Sequence, residues 1–583
     1  MKLHSKYGKI KWICVNPETS LIAVLEKQAG AVERGLPAGI VLVLNSVGKV
    51  IGTVSDGDVR RALVQKNDLN QVAHKVMNKD PILLRDSGSI QAILDQLPKE
   101  LEKRQRRSKR FLGKIVLVDT KGRPTRVLNY HQLWEQSVAT HRHVVVLGMG
   151  YVGLTLALKL SEQGFTVTGV DISEKIVTRL TNGHSHVHEV GIENLLREQL
   201  TKNFSISTSI PQSGDVFIIA VGTPVIDTQA GKIPDLNILK QASHSIGENL
   251  SPGNLIVLRS TVPVGTTQDH VLPILESISG LKGGIDFHIS FAPERTIEGK
   301  ALQELRSLPQ IIGGLNNDSV EATAALFREL TPIIIRVESL EASEMVKLIN
   351  NSFRDLIFAF SNELALMASS HNLDIVECIR AANSGYPRDK VPLPSPGVGG
   401  PCLTKDPYIL ASLSSSLAEN NTLSEKGRLI NDRMYNHVVD SVLKQLTSID
   451  KNPLHCKILL CGIAFKGQPE TTDVRESPTV AIANLFKNQV NSLFGHDPVL
   501  HSDQIKAIGL IPATLPSGFK NMDVVLFLNN HKYYEKINIY KMVRSLNEPG
   551  LIYDSWHVFD KREILEISPC VYMGLSFVET SLK

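Results

Sequence analysis

Hydrophobic residues along this chain fall into short apolar runs, and longer amphipathic stretches separate the runs. Apolar runs bounded by turn residues predict strands, whereas helical spacing of apolar positions predicts helices. We predict strands at residues 39–44, 50–54, 114–119, 144–147, 165–171, 215–221, 255–259, 311–312, 457–461, 491–494, 523–528 and 551–554. We predict helices at residues 58–65, 154–163, 341–371 and 407–446.

This alternation predicts an α/β protein with two Rossmann-like doubly wound domains, because strands alternating with helices build parallel sheets. The expected layout is a small α/β module at 1–138, a doubly wound domain at 142–337, a central helical region at 338–446 and a second, smaller doubly wound domain at 453–583. A helical layer between two sheets is a natural dimer surface, so we expect a homodimer or a higher homo-oligomer.

The composition is that of an ordinary globular protein with several domains. The chain has 583 residues, 63 basic and 59 acidic side chains and a formal charge of +4. Charged residues are 21% and hydrophobic residues 42%, a balance that favours neither a nucleic-acid-binding nor a disordered chain. The sequence shows no signal-peptide pattern and no apolar stretch of the length that spans a bilayer, so we expect a cytoplasmic protein without membrane insertion.

The six cysteines are scattered without CxxC spacing, which argues against a disulfide framework and a structural zinc site. They are Cys14, Cys378, Cys402, Cys456, Cys461 and Cys570. We expect reduced thiols, and we expect all of them except Cys402 to be packing residues.

A glycine-rich motif lies directly after the strand at 144–147. Gly148, Gly150 and Gly153 form GxGxxG, a predicted helix comes next, and the second strand ends in Asp171. Glycines at these positions permit a tight turn, close approach of a pyrophosphate to the helix N-terminus and close packing of helix on strand. An acid at the end of the second strand accepts from a ribose hydroxyl and repels a 2′-phosphate. The motif therefore predicts NAD rather than NADP as cofactor, and Thr223, after the strand at 215–221, should lie where cofactor and substrate meet.

Cys402 lies in a glycine-rich segment, GVGGPCLTKDP at 397–407, just before a helix expected to begin near Asp406. A helix N-terminus and the nearby Lys405 would favour the thiolate. Beside an NAD site, a thiolate can add to an aldehyde, lose a hydride to NAD and leave a thioester for water. An ordinary unreactive thiol is the alternative.

From about residue 141 to its end the chain resembles the UDP-glucose/GDP-mannose dehydrogenase family. The motifs that carry the resemblance are GMGYVG at 148–153, VGTP at 221–224, PDL at 234–236, STVPVG at 260–265, PE at 293–294, Lys347 with Asn351, GVGGPCLTKDP at 397–407, FK at 465–466 and RESP at 475–478. Segments 292–299, 351–355 and 360–363 look more like enzymes that act on UDP-N-acetylhexosamines, especially UDP-N-acetylmannosamine.

The resemblance implies a four-electron oxidation of the sugar C6 alcohol to a carboxylate with two NAD. It makes Cys402 the nucleophile that forms a thiohemiacetal and then a thioester. Lys347 and Asn351, four residues apart on one helix face, would stabilise the oxyanion or position water. A solvated helix face is the alternative for this pair.

The resemblance also gives Asp406 a role with Lys347, Glu294 a role in thioester hydrolysis, and Thr261 a place beside the hydrolytic water. The cofactor-binding residues that it implies are Gly148, Gly150, Tyr151, Val152, Gly153, Asp171, Thr223, Glu298 and Lys466. The substrate-binding residues that it implies are Glu294, Arg295, Lys347, Asn351, Arg388, Gly399, Phe465, Lys466 and Arg475.

The C-terminal domain has no GxGxxG after its first strand, but it offers Lys466 and Arg475 as cations for a diphosphate. The resemblance makes this the UDP-binding half of the site. Lys466 and Asp473 are separated by more sequence positions than in the family pattern, which leaves the role of Arg475 open. Pro401 stands where many relatives have His.

His184, His186 and His188 alternate, and on a strand they would align three imidazoles as in a metal site. We favour a loop near the substrate without a metal, because hydride transfer to NAD needs none.

The N-terminal module resembles a pair of CBS domains. Ser55 and Asp58 lie in a segment like the GxxSxxD signature, whereas residues 126–132 have lost that signature. The resemblance implies at most one regulatory nucleotide site, at Ser55 and Asp58, with the basic run at 99–110 as either a solvated segment or an anion contact. A purely structural module is the alternative.

We expect a UDP-N-acetylhexosamine 6-dehydrogenase that supplies a uronic acid for a surface polysaccharide. The alternatives are a UDP-glucose 6-dehydrogenase, a two-electron hydroxyacid dehydrogenase of the same fold, and a nucleotide-sensing protein with an inactive dehydrogenase body.

Overall fold

A computed structural model describes residues 10–31, 34, 36–37, 39–64, 71–86, 96, 100, 114–129, 142–228, 231–416 and 422–582. The basic run at 99–110 lies outside these residues except for residue 100. So does part of the segment 126–132.

Two small sheets with the same strand arrangement form the N-terminal part. Its strands are β1 (Cys14–Val15), β2 (Ile40–Leu44), β3 (Val50–Ser55), β4 (Leu83–Arg85), β5 (Lys114–Val118) and β6 (Pro124–Asn129), and its described helices are α1 (Leu21–Ala29), α2 (Asp56–Val64) and α3 (Ala73–Val76). In each sheet the first two strands are parallel and the last two antiparallel, with a register shift in the antiparallel pair. Leu42 and Val50 of the first sheet share a core with Val116 and Val127 of the second. The strands thus repeat one arrangement twice, as the sequence suggested.

An eight-stranded sheet comes next, together with a separate hairpin, β11–β12. Strands β7 to β16 are His143–Leu147, Thr166–Val170, Phe204–Ser207, Val216–Ile219, Val225–Thr228, Gly231–Pro234, Leu255–Leu258, His288–Phe291, Gln310–Gly314 and Ile334–Arg336. The strand order in the sheet is β16-β15-β14-β13-β10-β7-β8-β9. Helices α4 to α10 are Tyr151–Glu162, Glu174–Thr181, Ile192–Leu200, Asn237–Gly247, Leu272–Ser279, Ala301–Ser307 and Asn317–Arg328.

Both faces of this sheet are buried, as is shown by strand β7, whose alternate residues pack in two different cores. Val144 and Val146 of β7 pack in one core, and Val145 and Leu147 pack in the other. This explains why the strand is a continuous apolar run. All of its strand pairs are parallel except β14 with β15, so the prediction of a wholly parallel sheet is wrong at this pair. A run buried on both faces carries no mark of strand direction.

The central region consists of helices α11 (Leu340–Ser369), α12 (Ile375–Asn383), α13 (Asp406–Ala411) and α14 (Leu423–Ser448). The predicted helix at 341–371 is confirmed as α11. The prediction of one helical stretch at 407–446 is wrong, because a 3-10 turn ends α13 and a new helix begins after Thr422. Thr422 and Glu425 form a capping box at the start of α14, a signal that marks a helix N-terminus.

The C-terminal sheet has seven strands, β17 to β23, which are Lys457–Cys461, Ser492–His496, Ile511–Pro512, Val524–Phe527, Gly550–Asp554, Cys570–Met573 and Val578–Thr580. Their order in the sheet is β19-β18-β17-β20-β21-β22-β23, and all pairs are parallel except β22 with β23. Helices α15 to α18 are Pro478–Phe486, Ser502–Ala507, Ile539–Val543 and Lys561–Ile567. The α/β class with two Rossmann-like sheets is therefore confirmed.

No helix among the described residues combines the length and the apolar character that crossing a membrane requires.

Candidate active site

The glycine motif lies at the carboxyl end of β7, as predicted. Gly148 has a φ of 91°, and a Cβ on Gly153 would lie 1.8 Å from the carbonyl oxygen of Gly148. Gly150 is the N-cap of α4 and has open space around its missing Cβ. The N-terminus of α4 therefore has no side-chain cap and no side chain at its N-cap residue, which suits a diphosphate.

Asp171 comes directly after β8 and points back to this loop. Its Oδ2 accepts from the amide of Met149 at 2.8 Å, and its Oδ1 accepts from the amide of Ser173 at 2.9 Å. The side chain is partly exposed, and each oxygen keeps a lone pair for a ribose hydroxyl. The residues present thus fit a dinucleotide without a 2′-phosphate.

Thr223 and Thr261 lie side by side at the same sheet edge. The hydroxyl of Thr223 donates to the carbonyl oxygen of Thr261 at 2.5 Å. Ser260 also joins the two loops, since its hydroxyl donates to the carbonyl oxygen of Val221 at 2.7 Å. Parallel strands β10 and β13 are neighbours, which brings these distant segments together.

The segment that carries Cys402 packs closely against the C-terminal region. A Cβ on Gly399 would lie 2.2 Å from the carbonyl oxygen of Glu476, and one on Gly400 would lie 2.7 Å from the Phe465 ring. Glycine is therefore needed at both positions for close approach. The predicted helix start is confirmed, because α13 begins at Asp406.

Cys402 has an exposed side chain, whereas its thiol is enclosed enough for desolvation to act on it. Desolvation, with the Asp406 carboxylate, raises the pKa of Cys402, and the opposing charges of Lys347 and Lys405 do not reverse the shift. Lys405 is tied to Asp406 by an ion pair of 2.7 Å. The charge of Lys405 favours the thiolate as expected, but desolvation and Asp406 outweigh it, so the expectation of a lowered pKa is wrong for the protein alone.

Lys347 and Asn351 lie on α11 and face this thiol segment. Asn351 Nδ2 donates to Asp406 Oδ2 at 2.5 Å, and Lys405 Nζ donates to Asp406 Oδ1 at 2.7 Å. Lys347 is only 8% exposed, so the alternative of a solvated helix face is wrong. Its charge acts on Cys402 and on Glu294, which places it between the two.

Glu294 lies just beyond the end of β14 and is buried in a polar network. Arg259 pairs with its Oε2, and the amides of Arg295 and Thr296 both donate to its Oε1 at 2.7 Å. Gln310 completes the network by accepting from Arg259 at 3.0 Å. Burial alone would raise the pKa of Glu294, but Arg259, the amide of Thr296 and Lys347 together hold it below its usual value.

Lys466 reaches across from the C-terminal region to the segment after β14. Its Nζ donates to the carbonyl oxygen of Glu298 at 2.6 Å, and the hydroxyl of Thr471 donates to Glu298 Oε1 at 2.9 Å. Burial lowers the pKa of Lys466 to about 8. The Phe465 ring lies 5.3 Å from the same ammonium group. The two predicted half-sites therefore touch at Glu298.

Two further predicted cations, Arg475 and Arg388, differ in their relation to this site. Arg475 pairs with Asp473 and also lies close enough for the charge of Cys402 to act on its pKa. Arg388 is exposed between α12 and α13, with its guanidinium 5.5 Å from the Tyr386 ring. The structure thus joins Arg475 to the site but gives Arg388 no contact with it among the described residues.

A cavity of ≈ 640 Å³ lies beside the thiol segment, a volume typical of ligand pockets. Its walls are the segment after β10, hairpin β11–β12, the thiol segment, α14 and the start of α15. The lining residues include Thr223, Pro224, Lys232, Pro401, Lys405, Arg428, Tyr435, Arg475 and Ser477. The cavity therefore lies between the segment after β10 and the start of the C-terminal region.

The histidine segment forms no strand, because residues 184–188 adopt bends and irregular backbone. The alignment that a metal hypothesis needs is therefore not present. Glu189 accepts from the Tyr151 hydroxyl at 2.7 Å and from the amide of Gly299 at 2.8 Å, which fastens the segment to the glycine motif.

Several residues at the site were not identified from the sequence. They are Arg259, Gln310, Asp355 and Arg428. Arg428 pairs with Asp355 and donates to the carbonyl oxygens of Leu403 and Val398, so it fixes the backbone on both sides of Cys402. An apolar strand end such as LRS at 258–260 marks Arg259 as unusual, and that is the one hint that was available.

Models of one family match three successive parts of the chain. Residues 142–331 match the NAD binding domain of the UDP-glucose/GDP-mannose dehydrogenase family, residues 341–433 its central domain, and residues 459–561 its UDP binding domain.

Curated relatives match at about 30% identity. A UDP-N-acetyl-D-mannosamine dehydrogenase of Pyrococcus horikoshii is 30% identical over 429 residues, which are 73% of this chain and 96% of that protein. An NDP-N-acetyl-D-galactosaminuronic acid dehydrogenase of Ralstonia nicotianae is 30% identical over 408 residues, 68% of this chain and 92% of that protein.

Solved structures agree with these matches. A UDP-D-ManNAc dehydrogenase from Pyrococcus horikoshii aligns with a TM-score of 0.66 at 29% identity, covering 74% of this chain and 99% of that one. A UDP-glucose dehydrogenase from Pyrobaculum islandicum aligns with a TM-score of 0.66 at 25% identity, covering 76% and 99%. The chain therefore belongs to the UDP-glucose/GDP-mannose dehydrogenase family, as an NAD-dependent oxidoreductase of UDP-sugars.

Proposed function

We propose that the chain oxidises the C6 alcohol of a UDP-N-acetylhexosamine, foremost UDP-N-acetylmannosamine, to the carboxylate. The observation that carries this proposal is the gathering of one thiol, Cys402, with Lys347, Asp406 and the cations of the UDP-binding region. A two-electron dehydrogenase needs no thiol at this place. The names of the relatives support the N-acetylhexosamine, as do segments 292–299 and 351–355.

In this proposal NAD supplies a hydride acceptor for each of two oxidations. The C6 alcohol loses a hydride and a proton and becomes an aldehyde. The sulfur of Cys402 bonds to the aldehyde carbon and its proton moves to the aldehyde oxygen, which gives a thiohemiacetal. Loss of a second hydride and a second proton gives a thioester. Water then breaks the carbon–sulfur bond, leaving the carboxylic acid and a thiol.

The chain's residues divide this work by position. Lys347 places a positive charge beside Cys402 and would stabilise the oxygen of the thiohemiacetal. Asp406 accepts from Asn351 and Lys405, one bond at each oxygen, so lone pairs remain to take a proton from the substrate hydroxyl or from water. Thr261 lies at the edge shared with the NAD half and would stand beside that water.

The family resemblance assigns the binding residues. Gly148, Gly150, Gly153 and Asp171 would hold the dinucleotide. Tyr151, Val152, Thr223 and Glu298 would surround it, and Arg295, Gly399, Phe465, Lys466 and Arg475 would hold the UDP-sugar.

The test is a panel of UDP-sugars with NAD, monitored by NADH absorbance and product mass. We expect UDP-N-acetylmannosamine to give two NADH per sugar and a uronate. Cys402→Ser should abolish acid formation, whereas Cys378→Ser on α12 should not. Turnover of UDP-glucose but not of its N-acetyl analogues would refute the substrate choice. One NADH per sugar would favour a two-electron enzyme.

We infer a homodimer from the exposed apolar stripe on α11. Ile349, Phe353, Phe360 and Met367 are each more than half exposed at helical spacing. A second copy packed on this stripe would bury them. Light scattering of the purified chain checks this, and a monomer at all concentrations would refute it.

We also propose that the N-terminal part is a CBS pair that binds a regulatory nucleotide. Ser55 donates to Asp58 at 2.6 Å, with Arg61 paired to the same carboxylate, at the start of α2. A nucleotide ribose and phosphate would meet these groups. Titration of the full chain with common nucleotides, compared with Ser55→Ala, should show binding that the variant loses.

A further inference from the structure

His186 lies between α5 and α6, in the segment that the sequence marks with three alternating histidines. The segment is irregular, but its backbone is held at several points. The Ser185 hydroxyl donates to the carbonyl oxygen of Val187 at 2.8 Å and accepts from the amide of Val187 at 3.0 Å. The amide of His184 donates to the carbonyl oxygen of Arg179 at 3.1 Å. The turn that carries His186 is therefore fixed by the protein itself.

The surroundings of the His186 ring place it at the rim of the dinucleotide site. The groups that act on its pKa include Arg179 of α5, Asp171 after β8, the main chain of Met149 in the glycine motif and Arg475 before α15. Asp171 accepts from the amide of Met149 at 2.8 Å. The imidazole and the Asp171 carboxylate therefore lie beside the same loop, where a ribose would meet both.

One nitrogen of this ring has no hydrogen-bond partner among the described residues. It is Nδ1 of His186, and it is buried. A buried polar atom without a partner costs free energy, and most such atoms in proteins are paired. An unpaired nitrogen beside a ligand site is therefore an indication of a ligand atom that completes it.

The state of the ring narrows the chemistry of that ligand atom. Burial, with the charge of Arg179, lowers the pKa of His186, although Asp171 and the main chain of Met149 act in the opposite direction. The ring is therefore neutral at pH 7, and its Nδ1 carries either a proton or a lone pair. A hydroxyl can pair with both forms because it donates and accepts, whereas a phosphate oxygen can pair only with the N–H form. The neighbouring Asp171 carboxylate also pairs with a hydroxyl.

We propose that His186 is a further cofactor-binding residue, which pairs with one hydroxyl of the adenosine ribose of NAD while Asp171 pairs with the other. The two adjacent hydroxyls of a ribose match two side chains that lie beside one loop. The inference rests on the proposed place of the ribose at Asp171. It gives the histidine segment a ligand other than the metal that its spacing suggested.

Cofactor analogues that lack one hydroxyl of the adenosine ribose provide the main test. We expect His186→Phe, which keeps a ring and removes both nitrogens, to weaken NAD binding about 3- to 10-fold in calorimetric titrations of the full chain. Of the 2′-deoxy and 3′-deoxy analogues, one should bind the variant and the native chain equally, because the hydroxyl that His186 binds is already missing. The other analogue should show the full loss. An equal loss for NAD and both analogues would overturn the proposal.

His186→Asn tests whether a polar atom near the place of Nδ1 is sufficient. Its amide can donate to or accept from a hydroxyl, so the variant should recover part of the NAD affinity that His186→Phe loses. The recovery should be absent for the analogue that His186→Phe and the native chain bind equally. An Asn variant that bound NAD as weakly as the Phe variant would contradict the hydrogen bond.

The two neighbouring histidines are the controls. His184 is exposed, with its Nδ1 4.0 Å from a Glu193 oxygen, so His184→Phe should keep native affinity for NAD and both analogues. His188 has a buried unpaired nitrogen of its own, Nε2, so His188→Phe tests whether any such nitrogen on the segment has the same effect. A loss specific to one hydroxyl in His188→Phe, and not in His186→Phe, would overturn the assignment.

The same titrations separate this inference from the proposed function. NAD binding needs no sugar, so a chain that oxidised no UDP-sugar would refute the proposed function and leave these measurements intact. Asp171→Ala should show a loss specific to the hydroxyl that His186 does not bind. If Asp171→Ala showed this specific loss and His186→Phe did not, the ribose would lie as proposed and the role of His186 would be refuted.

Discussion

The two Rossmann-like sheets begin with the same local structure and use it differently. Gly148 and Gly462 have φ values of 91° and 89°, and each donates its amide to the last strand residue of the neighbouring β8 or β18. The next residues also correspond, since Met149 donates to Asp171 and Ile463 donates to Asp497. Up to this point the two halves of the site are equivalent.

The two sheets differ in the chain segment immediately after this glycine. In the first sheet α4 begins at once, and its N-cap, Gly150, has no side chain and makes no capping bond. In the second sheet α15 begins only at Pro478, and Ser477 caps it by accepting from Thr479. The segment between carries Lys466 and is held against Glu298. We therefore expect the first half to bind phosphate through a helix N-terminus and the second through side-chain cations.

Cys402 belongs to neither sheet. Its removal should have the largest effect, because it should lower acid formation and leave ligand binding unchanged. We expect Cys402→Ala to lower acid formation by about 10³-fold or more, because no other described group can form the thioester. Calorimetric affinities for NAD and for UDP should stay at native values. Cys378→Ala is the matched control. A strong loss of either affinity would show that Cys402 also holds one of the half-sites together.

Lys466 should matter most for the second half. We expect Lys466→Met to weaken UDP-sugar binding by about 10- to 100-fold, since a hydrogen bond to a charged group contributes about 1.5–3 kcal/mol. NAD affinity should change less. Lys532→Met, at an exposed lysine in the same region, is the control. If both ligands lost affinity equally, the two halves would not be independent.

Substitution of the two structurally equivalent acids, Asp171 and Asp497, should also have different effects in the two halves. We expect Asp171→Ala to weaken NAD binding by about tenfold and to narrow the preference over NADP, because a ribose contact and a repulsive charge are lost. Asp497 is 6% exposed and accepts from the amides of Ile463, Ala464 and Val499. Asp497→Ala should instead lower the free energy of unfolding by about 1–3 kcal/mol and leave the cofactor preference unchanged. An altered NAD to NADP ratio in Asp497→Ala would refute the contrast.

The sequence predicted those parts of the molecule that depend on neighbouring residues. Strand Lys457–Cys461 was predicted to the residue, because a buried apolar run ends at a glycine turn. The glycine motif with Asp171 was recognisable because one βαβ unit carries it. Cys402 was a candidate from its position before a helix and beside an NAD site, whereas Lys347 and Asn351 were found through the family resemblance. The structure places the three residues close together.

Contacts between distant segments were out of reach. Arg259 meets Glu294 only because β13 and β14 are neighbours, and the sequence shows no strand order. The pKa of Cys402 was expected to fall, but desolvation and Asp406 raise it. Both are properties of the folded surroundings. The same holds for the contact of Lys466 with Glu298, which joins residues 168 positions apart.

The smallest effect that we expect is a difference in pH dependence between the two halves. Burial, with Arg354, lowers the pKa of Lys466 to about 8, although Glu298, Glu189 and Cys402 act in the opposite direction. The ammonium is the form that binds a diphosphate, so affinity falls as the pH rises through that value. Between pH 7 and 8.5 we expect UDP affinity of the free enzyme to fall about fourfold. NAD affinity should stay flat, because main-chain amides do not titrate in this range.

Lys466→Arg provides the control for this difference, because a guanidinium stays charged over the whole range. The variant should bind UDP with no decline between pH 7 and 8.5, whatever its absolute affinity. Calorimetric titrations at several pH values, at constant ionic strength, measure both ligands in the same samples. A decline that persisted in Lys466→Arg, or that NAD shared, would mean that the pH dependence arises from a group common to both halves. The contrast between a helix N-terminus and a side-chain cation would then lose its support.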